Sequence, residues 1–236
     1  MRIKVLGAGS WGTALALLLH NNGHNVSLWS WETHHVERLL ADGENRSFLP
    51  GVPLPPEMLI SSHLSGVASA DMVVIAVPSH AVKQVTEQVK EYIRPGTIVV
   101  NVAKGFHQEG QKRLSEVIHS ILPDNPVLVL SGPSHAEEVA INLPTTIVLA
   151  GEDDALLGKV QDIFMSNYFR VYTNHDIVGV EIGGAVKNVI AIATGVAQGL
   201  GLGDNAQAAL ITRGLTEITR LGVSMGAEAD TFSGLA

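Results

Sequence analysis

Hydrophobic positions along this chain alternate between short continuous runs and longer segments in which they recur every three or four residues. Short apolar runs predict buried strands at 1–6, 25–30, 71–77, 97–102, 127–130 and 145–149. Segments with helical spacing fill the gaps, at 13–20, 33–41, 79–92, 111–121, 134–140 and 153–167. This alternation predicts an α/β fold with a doubly wound, mostly parallel sheet.

The pattern changes near residue 174, where strand signals stop. Asp176 is a plausible N-cap for a long helix at 178–197, and a second helix is predicted at 205–221. We therefore expect an α/β domain at 1–174 and an all-helical domain at 175–236. The proline-rich segment 48–56 is predicted to be a loop that could cover a ligand, because proline fits neither a helix interior nor a central strand.

The first strand runs directly into Gly7-Ala8-Gly9-Ser10-Trp11-Gly12, which matches G-x-G-x-x-G. A strand precedes the motif, a helix follows it, and a second strand comes after that helix. In this context the motif holds a dinucleotide pyrophosphate at a helix N-terminus. The sequence therefore predicts a Rossmann dinucleotide site. Glu32, after the second strand, could bind a free ribose or begin the next helix, and Arg38 lies inside that helix. The sequence therefore leaves the choice between NAD and NADP open.

Lys187 is the only charged residue at 182–203, a segment otherwise of small, apolar and amide residues. Apolar surroundings should lower the pKa of its ammonium and make it a usable proton donor or acceptor, although its side chain could instead extend to solvent. Lys104 follows a predicted strand and could hold a phosphate or carbonyl oxygen, or could be an ordinary surface lysine.

The loop that contains Ser134 is a further candidate site. Ser134 and Glu137 form an S-x-x-E pattern that predicts a capping box. Free backbone N–H groups at such a helix start would suit an anion, and a plain cap is the alternative.

Composition narrows the function classes. A formal charge of −8, without a basic run and with 5% aromatic residues, argues against nucleic-acid and anionic-membrane partners. The absence of cysteine excludes disulfides and thiol chemistry and fits a reducing compartment, so we expect a cytoplasmic protein. We expect no metal site and no hydrolase chemistry, since neither H-E-x-x-H nor G-x-S-x-G occurs. Six glycines and Lys187 argue against a membrane span at 182–203.

Several sequence blocks together resemble bacterial NAD(P)-dependent glycerol-3-phosphate dehydrogenase. The resemblance covers the whole chain, and the block around Lys187 is its most specific part. The blocks are 7–12, 45–51 (NRSFLPG), 103–105 (AKG), 131–134 (SGPS), 184–189 (GAVKNV) and 212–215 (TRGL).

The resemblance implies an oxidoreductase that transfers a hydride between NAD(P)H and dihydroxyacetone phosphate or sn-glycerol 3-phosphate, for glycerophospholipid synthesis. It implies that Lys187 is the acid/base and that Lys104 orients the same substrate oxygen. It places the substrate on Lys104, Gly132, Ser134 and Lys187. It places the cofactor on Gly7, Gly9, Ser10, Trp11, Gly12, Trp31, Phe48, Lys104 and Ala136. Relatives often carry Arg or His where this chain has Trp31, which makes the cofactor preference an open question.

The family pattern continues beyond residue 236 through an Asp and a Ser-Arg-Asn segment that grips the substrate phosphate. We therefore expect a truncated protein with a partial helical domain, whose uncovered apolar face could pair two copies as a homodimer. Two alternatives stay open: a related lysine-dependent reductase of the hydroxyacid or 6-phosphogluconate type, and a non-catalytic NAD(P)-binding module.

Overall fold

The computed structural model describes residues 1–234; Leu235 and Ala236, the end of the predicted helical domain, lie outside the described residues. The strands within this range are β1 (Arg2–Leu6), β2 (Asn25–Trp29), β3 (Glu44–Asn45), β4 (Leu49–Pro53), β5 (Leu59–Ser61), β6 (Met72–Ile75), β7 (Ile98–Asn101), β8 (Val127–Ser131), β9 (Thr145–Ala150) and β10 (Phe169–Asn174). The α-helices are α1 (Ser10–Asn21), α2 (Thr33–Asp42), α3 (Val82–Lys90), α4 (Leu114–Ile121), α5 (Ala136–Ala140), α6 (Asp154–Phe164), α7 (Ile177–Gly199) and α8 (Gly203–Ser224).

Eight of these strands form one sheet in the order β10-β9-β8-β7-β6-β1-β2-β5. All neighbouring strands are parallel except β8 and β9, which pair antiparallel. β1 is an interior strand, with Ile3 opposite Val26 of β2 on one side and Met72 of β6 on the other. The predicted α/β fold, a doubly wound and mostly parallel sheet followed by a helical segment, is confirmed.

Helices cover both faces of the sheet, which explains why its central strands are apolar at nearly every position. On one face Leu15 and Leu19 of α1 and Phe164 of α6 pack against the sheet. On the other face Val89 of α3 and Ile118 of α4 do so. The continuous apolar runs in the sequence are therefore strands buried on two sides. The carboxyl ends of the parallel strands β1, β2, β5, β6, β7 and β8 form one edge of the sheet.

The structure departs from the sequence-based expectations in strands β3, β4, β5 and β10. The predicted loop at 48–56 contains β4, which forms a separate antiparallel hairpin with β3 outside the main sheet, so proline there interrupts no central strand. β5 and β10 were not predicted. β5 has only three residues, and the exposed positions of β10 carry Arg170 and Tyr172, which break its apolar run.

The predicted capping box is also wrong. α5 begins at Ala136 with His135 as its N-cap and no side-chain cap bond. The Ser134 hydroxyl instead donates to the carbonyl oxygen of Gly132 at 3.2 Å. The loop before α5 is therefore longer than the S-x-x-E pattern suggests.

α7 is, among residues 1–234, the one helix long and apolar enough to cross a membrane, with a mean hydropathy of 1.5 over an 18-residue window. Its first half packs instead inside the protein, where Val180 contacts Val129 of β8 and Ile182 packs with Phe232. Its buried Glu181 is paired with Arg113. These contacts bury the first half of α7 against the sheet and against the segment that follows α8.

The start of α7 is fixed by Asp176, as the sequence predicts. Its carboxylate accepts bonds from the backbone N–H of Gly179 at 2.8 Å, the N–H of Glu228 at 2.9 Å and the Thr231 hydroxyl at 2.7 Å. One buried side chain therefore caps α7 and also holds the segment that follows α8.

Replacing Asp176 with Ala should lower the free energy of unfolding by about 2–4 kcal/mol, since it removes a cap and leaves further buried donors unpaired. Urea unfolding measures this loss. Asp154→Ala is the control, because it removes only an exposed pair with His175 and should cost less than about 1 kcal/mol. Equal effects of the two substitutions would contradict the capping role.

Candidate active site

The glycine motif forms the turn between β1 and α1. Gly7 has φ +120°, and a Cβ there would lie 2.5 Å from the carbonyl oxygen of Ala76. A Cβ on Gly12 would collide with the carbonyl oxygen of Gly7. Only glycine lets α1 start this close to the sheet, so its free N–H groups face the carboxyl edge of β1.

A cavity of about 630 Å³ opens at this edge, along the carboxyl ends of β1, β2, β6, β7 and β8. Its lining includes most of the predicted cofactor residues, namely Gly7, Gly9, Ser10, Trp11, Trp31, Phe48, Lys104 and Ala136, and also the predicted substrate residue Ser134. Gly12 does not line the cavity, because it is packed beneath Gly7. Strand order reverses around β1 here, which is where open α/β sheets bind their ligands.

The cavity fits a dinucleotide in shape and chemistry. A Cβ on Gly9 would meet no atom within 4 Å, so backbone is accessible there. The indole N–H of Trp11 is buried and has no hydrogen-bond partner among residues 1–234, which leaves one donor unused beside the cavity. A pyrophosphate would lie on the α1 N-terminus, with one nucleoside toward β2 and the other toward Lys104.

A polar network that the sequence analysis missed supports the β2 end of the cavity. Buried His35 lies with one ring nitrogen 3.1 Å from the Ser30 hydroxyl and the other 3.3 Å from the Asn45 side-chain oxygen. Asn45 in turn donates to the carbonyl oxygen of Ala8 at 2.9 Å and to the Thr13 hydroxyl at 2.8 Å. The hairpin of β3 and β4 is therefore tied to the glycine turn. The one hint of this network in the sequence was that Asn45 belongs to the block 45–51.

Two lysines come together at the opposite end. Lys104 follows β7, and its ammonium donates to the carbonyl oxygen of Gly132 at 3.1 Å. Burial, and then the positive charge and side chain of Lys187, lower the pKa of Lys104 to about 8. The structure thus brings together the predicted substrate residues Lys104, Gly132, Ser134 and Lys187. The sequence analysis did not anticipate this lowered pKa of Lys104.

Close packing of α7 on the sheet allows Lys187 to reach this place. A Cβ on Gly184 would collide with the Ser131 hydroxyl and would lie 3.9 Å from Cγ of Lys104. Glycine one turn before Lys187 therefore lets α7 approach the end of β8. The Ser131 hydroxyl is buried and has no hydrogen-bond partner within the described part of the chain.

Comparison with known proteins gives a consistent result for both parts of the chain. Residues 2–157 match the family described as NAD-dependent glycerol-3-phosphate dehydrogenase N-terminus. Residues 176–236 match the family described as NAD-dependent glycerol-3-phosphate dehydrogenase C-terminus.

Individual relatives agree with the family match. The chain is 50% identical over 235 residues to glycerol-3-phosphate dehydrogenase [NAD(P)+] of Desulfitobacterium hafniense, covering 100% of this chain and 67% of the relative. It is 53% identical to the Moorella thermoacetica protein of the same name, covering 99% and 70%. The crystal structure of glycerol-3-phosphate dehydrogenase from Coxiella burnetii superimposes with a TM-score of 0.95 at 43% identity, covering 99% and 72%.

Proposed function

The chain belongs to the NAD-dependent glycerol-3-phosphate dehydrogenase family, and from this premise we propose its reaction and the residues that perform it. It is an NAD(P)-dependent oxidoreductase that interconverts dihydroxyacetone phosphate and sn-glycerol 3-phosphate, the precursor of glycerophospholipids. The observation that carries this proposal is the meeting of Lys104 and Lys187 at the carboxyl edge of a dinucleotide-binding sheet.

The two proposed domains have separate tasks. Residues 1–174, which end with β10, hold the cofactor, and residues 175–236, which begin at the cap of α7, supply Lys187. We assign the cofactor contacts to Gly7, Gly9, Ser10, Trp11, Gly12, Trp31, Phe48, Lys104 and Ala136. We assign the substrate contacts to Lys104, Gly132, Ser134 and Lys187.

When bound, the nicotinamide supplies or accepts the hydride at C2 of the substrate. During reduction the ketone oxygen gains negative charge, and the Lys187 ammonium donates a proton to it. Lys104 donates a hydrogen bond to the same oxygen and polarises the carbonyl. In the oxidation direction the neutral Lys187 amine accepts the hydroxyl proton. Two adjacent ammonium groups also attract a phosphorylated substrate, because its dianion relieves their repulsion.

Substrate comparison tests this proposal against its alternatives. With NADH, we expect kcat/KM for dihydroxyacetone phosphate to exceed that for dihydroxyacetone, which lacks the phosphate, by at least about 100-fold. Faster turnover of a 2-keto acid would indicate the related hydroxyacid reductase instead. Cofactor binding without turnover of any ketone would indicate a binding module.

Cofactor preference depends on the β2 end of the cavity. Trp31 and Glu32 line it there, and Lys104, at the other end, is the one lysine or arginine among the lining residues. The Glu32 carboxylate has no ion pair within residues 1–234. An acidic side chain at this place binds the ribose 2′-hydroxyl of NAD and repels the 2′-phosphate of NADP.

We therefore expect kcat/KM to be at least about 10-fold higher with NADH than with NADPH, equivalent to about 1.4 kcal/mol. Glu32→Gln should lower this NADH-to-NADPH ratio of kcat/KM, because it removes the negative charge that repels the 2′-phosphate of NADPH. Glu37→Gln is the matched control, since Glu37 is exposed on the same helix and does not line the cavity. Initial rates with NADH and with NADPH measure these ratios. A wild-type preference for NADPH, or the same NADH-to-NADPH ratio in Glu32→Gln and Glu37→Gln, would contradict this role for Glu32.

Localisation and assembly follow as further proposals. A cytoplasmic location fits a cysteine-free chain that uses a soluble phosphorylated substrate. A homodimer is proposed from the exposed apolar surface of α7 and α8, formed by Val189, Ile192, Val196, Ile211 and Leu215. Analytical ultracentrifugation distinguishes a dimer from a monomer.

A further inference from the structure

Glu181 is a buried carboxylate on α7, six positions before Lys187, with 7% of its surface exposed. It accepts a bond from the backbone N–H of Ser115 at 2.9 Å and a second from the Ser115 hydroxyl. The Arg113 guanidinium donates to it at 3.0 Å. A carboxylate in the core needs such partners, since an unpaired buried charge costs several kcal/mol.

These partners all lie at the start of α4. Arg113 is the N-cap of α4, and the N–H of Ser115 is one of the helix's free N-terminal donors. Glu181 therefore caps α4 from another helix, and its negative charge lies at the positive end of α4. Because α4 packs on the sheet and Glu181 belongs to α7, this contact fixes α7 relative to the sheet.

The same contact lies close to Lys104 along the chain. Phe106, two residues after Lys104, forms an antiparallel bridge with Arg113, and the N–H of His107 donates to the carbonyl oxygen of Lys112 at 2.9 Å. Residues 106–113 thus form a closed loop that begins two residues after Lys104. Phe106 also packs against the apolar cluster that contains Ile182 of α7.

A short connected path therefore runs from Lys104 through Phe106, Arg113 and Glu181 to Lys187. Repulsion between two neighbouring ammonium groups favours their separation, so a tight clamp is needed to keep them together. Glu181 is not one of the predicted substrate or cofactor contacts, and it does not line the cofactor cavity.

We propose that Glu181 is a positioning residue which, by clamping α7 to Arg113 and Ser115, holds Lys187 beside Lys104. The inference rests on the two-lysine reaction proposed above. It predicts a defect in the chemical step, whereas a residue that only stabilises the fold would change the unfolding temperature and leave kcat of the folded protein intact.

The test compares Glu181→Gln with Glu116→Gln in the purified protein. Glutamine keeps the shape and removes the charge that Arg113 needs. Glu116 is the other carboxylate bound to Arg113, at 3.0 Å, but it belongs to α4 itself, and within residues 1–234 its side chain accepts hydrogen bonds from Arg113 alone. Each variant is assayed for kcat, for the KM of NADH and for the pH dependence of kcat/KM for dihydroxyacetone phosphate.

We expect kcat of Glu181→Gln to fall about 10- to 100-fold, because a catalytic group displaced by about 1 Å can cost this much in rate. The KM of NADH should stay within about 2-fold of wild type. The inflection that reports Lys104 should move upward from about 8, because Lys187 no longer depresses the pKa of Lys104. Glu116→Gln should keep the wild-type kcat and inflection.

The outcomes are separable. If the wild-type protein is active and Glu181→Gln has the same kcat and the same pH inflection, the positioning role is overturned. If the wild-type protein itself shows no turnover, the proposed function is overturned instead. If Glu181→Gln does not yield folded protein, Arg113→Gln breaks the same clamp from the sheet side and must show the same fall in kcat and the same upward shift.

Discussion

Replacing Lys187 with Ala should lower kcat for dihydroxyacetone phosphate reduction by about 10²- to 10⁴-fold, the usual contribution of a general acid. The loss should fall on kcat, since the proton is needed as charge develops on the ketone oxygen. The KM of NADH should stay within about 2-fold of wild type, because Lys187 does not line the cofactor cavity.

Chemical rescue makes this expectation specific. Alanine leaves a space where the side chain was, and a small alkylamine added to the assay should restore part of the rate by donating the missing proton. Lys90→Met, on the exposed face of α3, should behave as wild type and shows that losing a lysine is not harmful in itself. A Lys187→Ala protein with undiminished kcat would remove Lys187 from the mechanism.

Replacing Lys104 with Met should reduce kcat/KM for dihydroxyacetone phosphate by about 100-fold or more, as it removes a charged donor from the developing oxyanion. The pH profile should change too. The wild-type pKa of Lys104 is about 8, so its charge is present below this pH and is lost as the pH rises through it. Wild-type kcat/KM should therefore fall above pH 8, and the variant should lack this inflection.

The same substitution should stabilise the fold near neutral pH. The folded-state pKa of Lys104 lies below its unfolded value of about 10.4, so keeping Lys104 charged costs folding free energy in full below pH 8. Methionine removes that cost, and the melting temperature should rise at pH 7 and converge with wild type above about pH 10. Lys104→Met with wild-type kcat/KM, or with a lower melting temperature at pH 7, would contradict the role given to the lysine pair.

Most of the fold could be predicted because its strands are buried on both faces and bounded by glycine or proline. The turn at Gly7 is an example, since strand, glycines and helix occur in the only order that builds a dinucleotide site. Strand direction could not be predicted: β8 and β9 have the same apolar pattern as the parallel strands, yet they pair antiparallel. Short apolar runs carry no information about the direction of the chain.

Lys187 could be identified from the sequence because it is the one charge in an apolar segment, and Lys104 because it follows a predicted strand. That the two lysines lie side by side could not be predicted, since it depends on Gly184 packing against Ser131 across two elements far apart in the chain. The roles of His35 and Asn45 were missed for the same reason. A histidine beside another histidine on α2 looks like a surface residue until Ser30 and Asn45 close around its ring.

The measurement that tests the central claim most directly follows the hydride itself. The protein is incubated with dihydroxyacetone phosphate and NADH carrying deuterium at C4 of the nicotinamide on the transferred face, and the product is analysed by NMR and mass spectrometry. We predict one deuterium at C2 of sn-glycerol 3-phosphate for each NADH oxidised. NADH oxidation without deuterated glycerol 3-phosphate, or no oxidation at all under saturating substrates, would contradict the account.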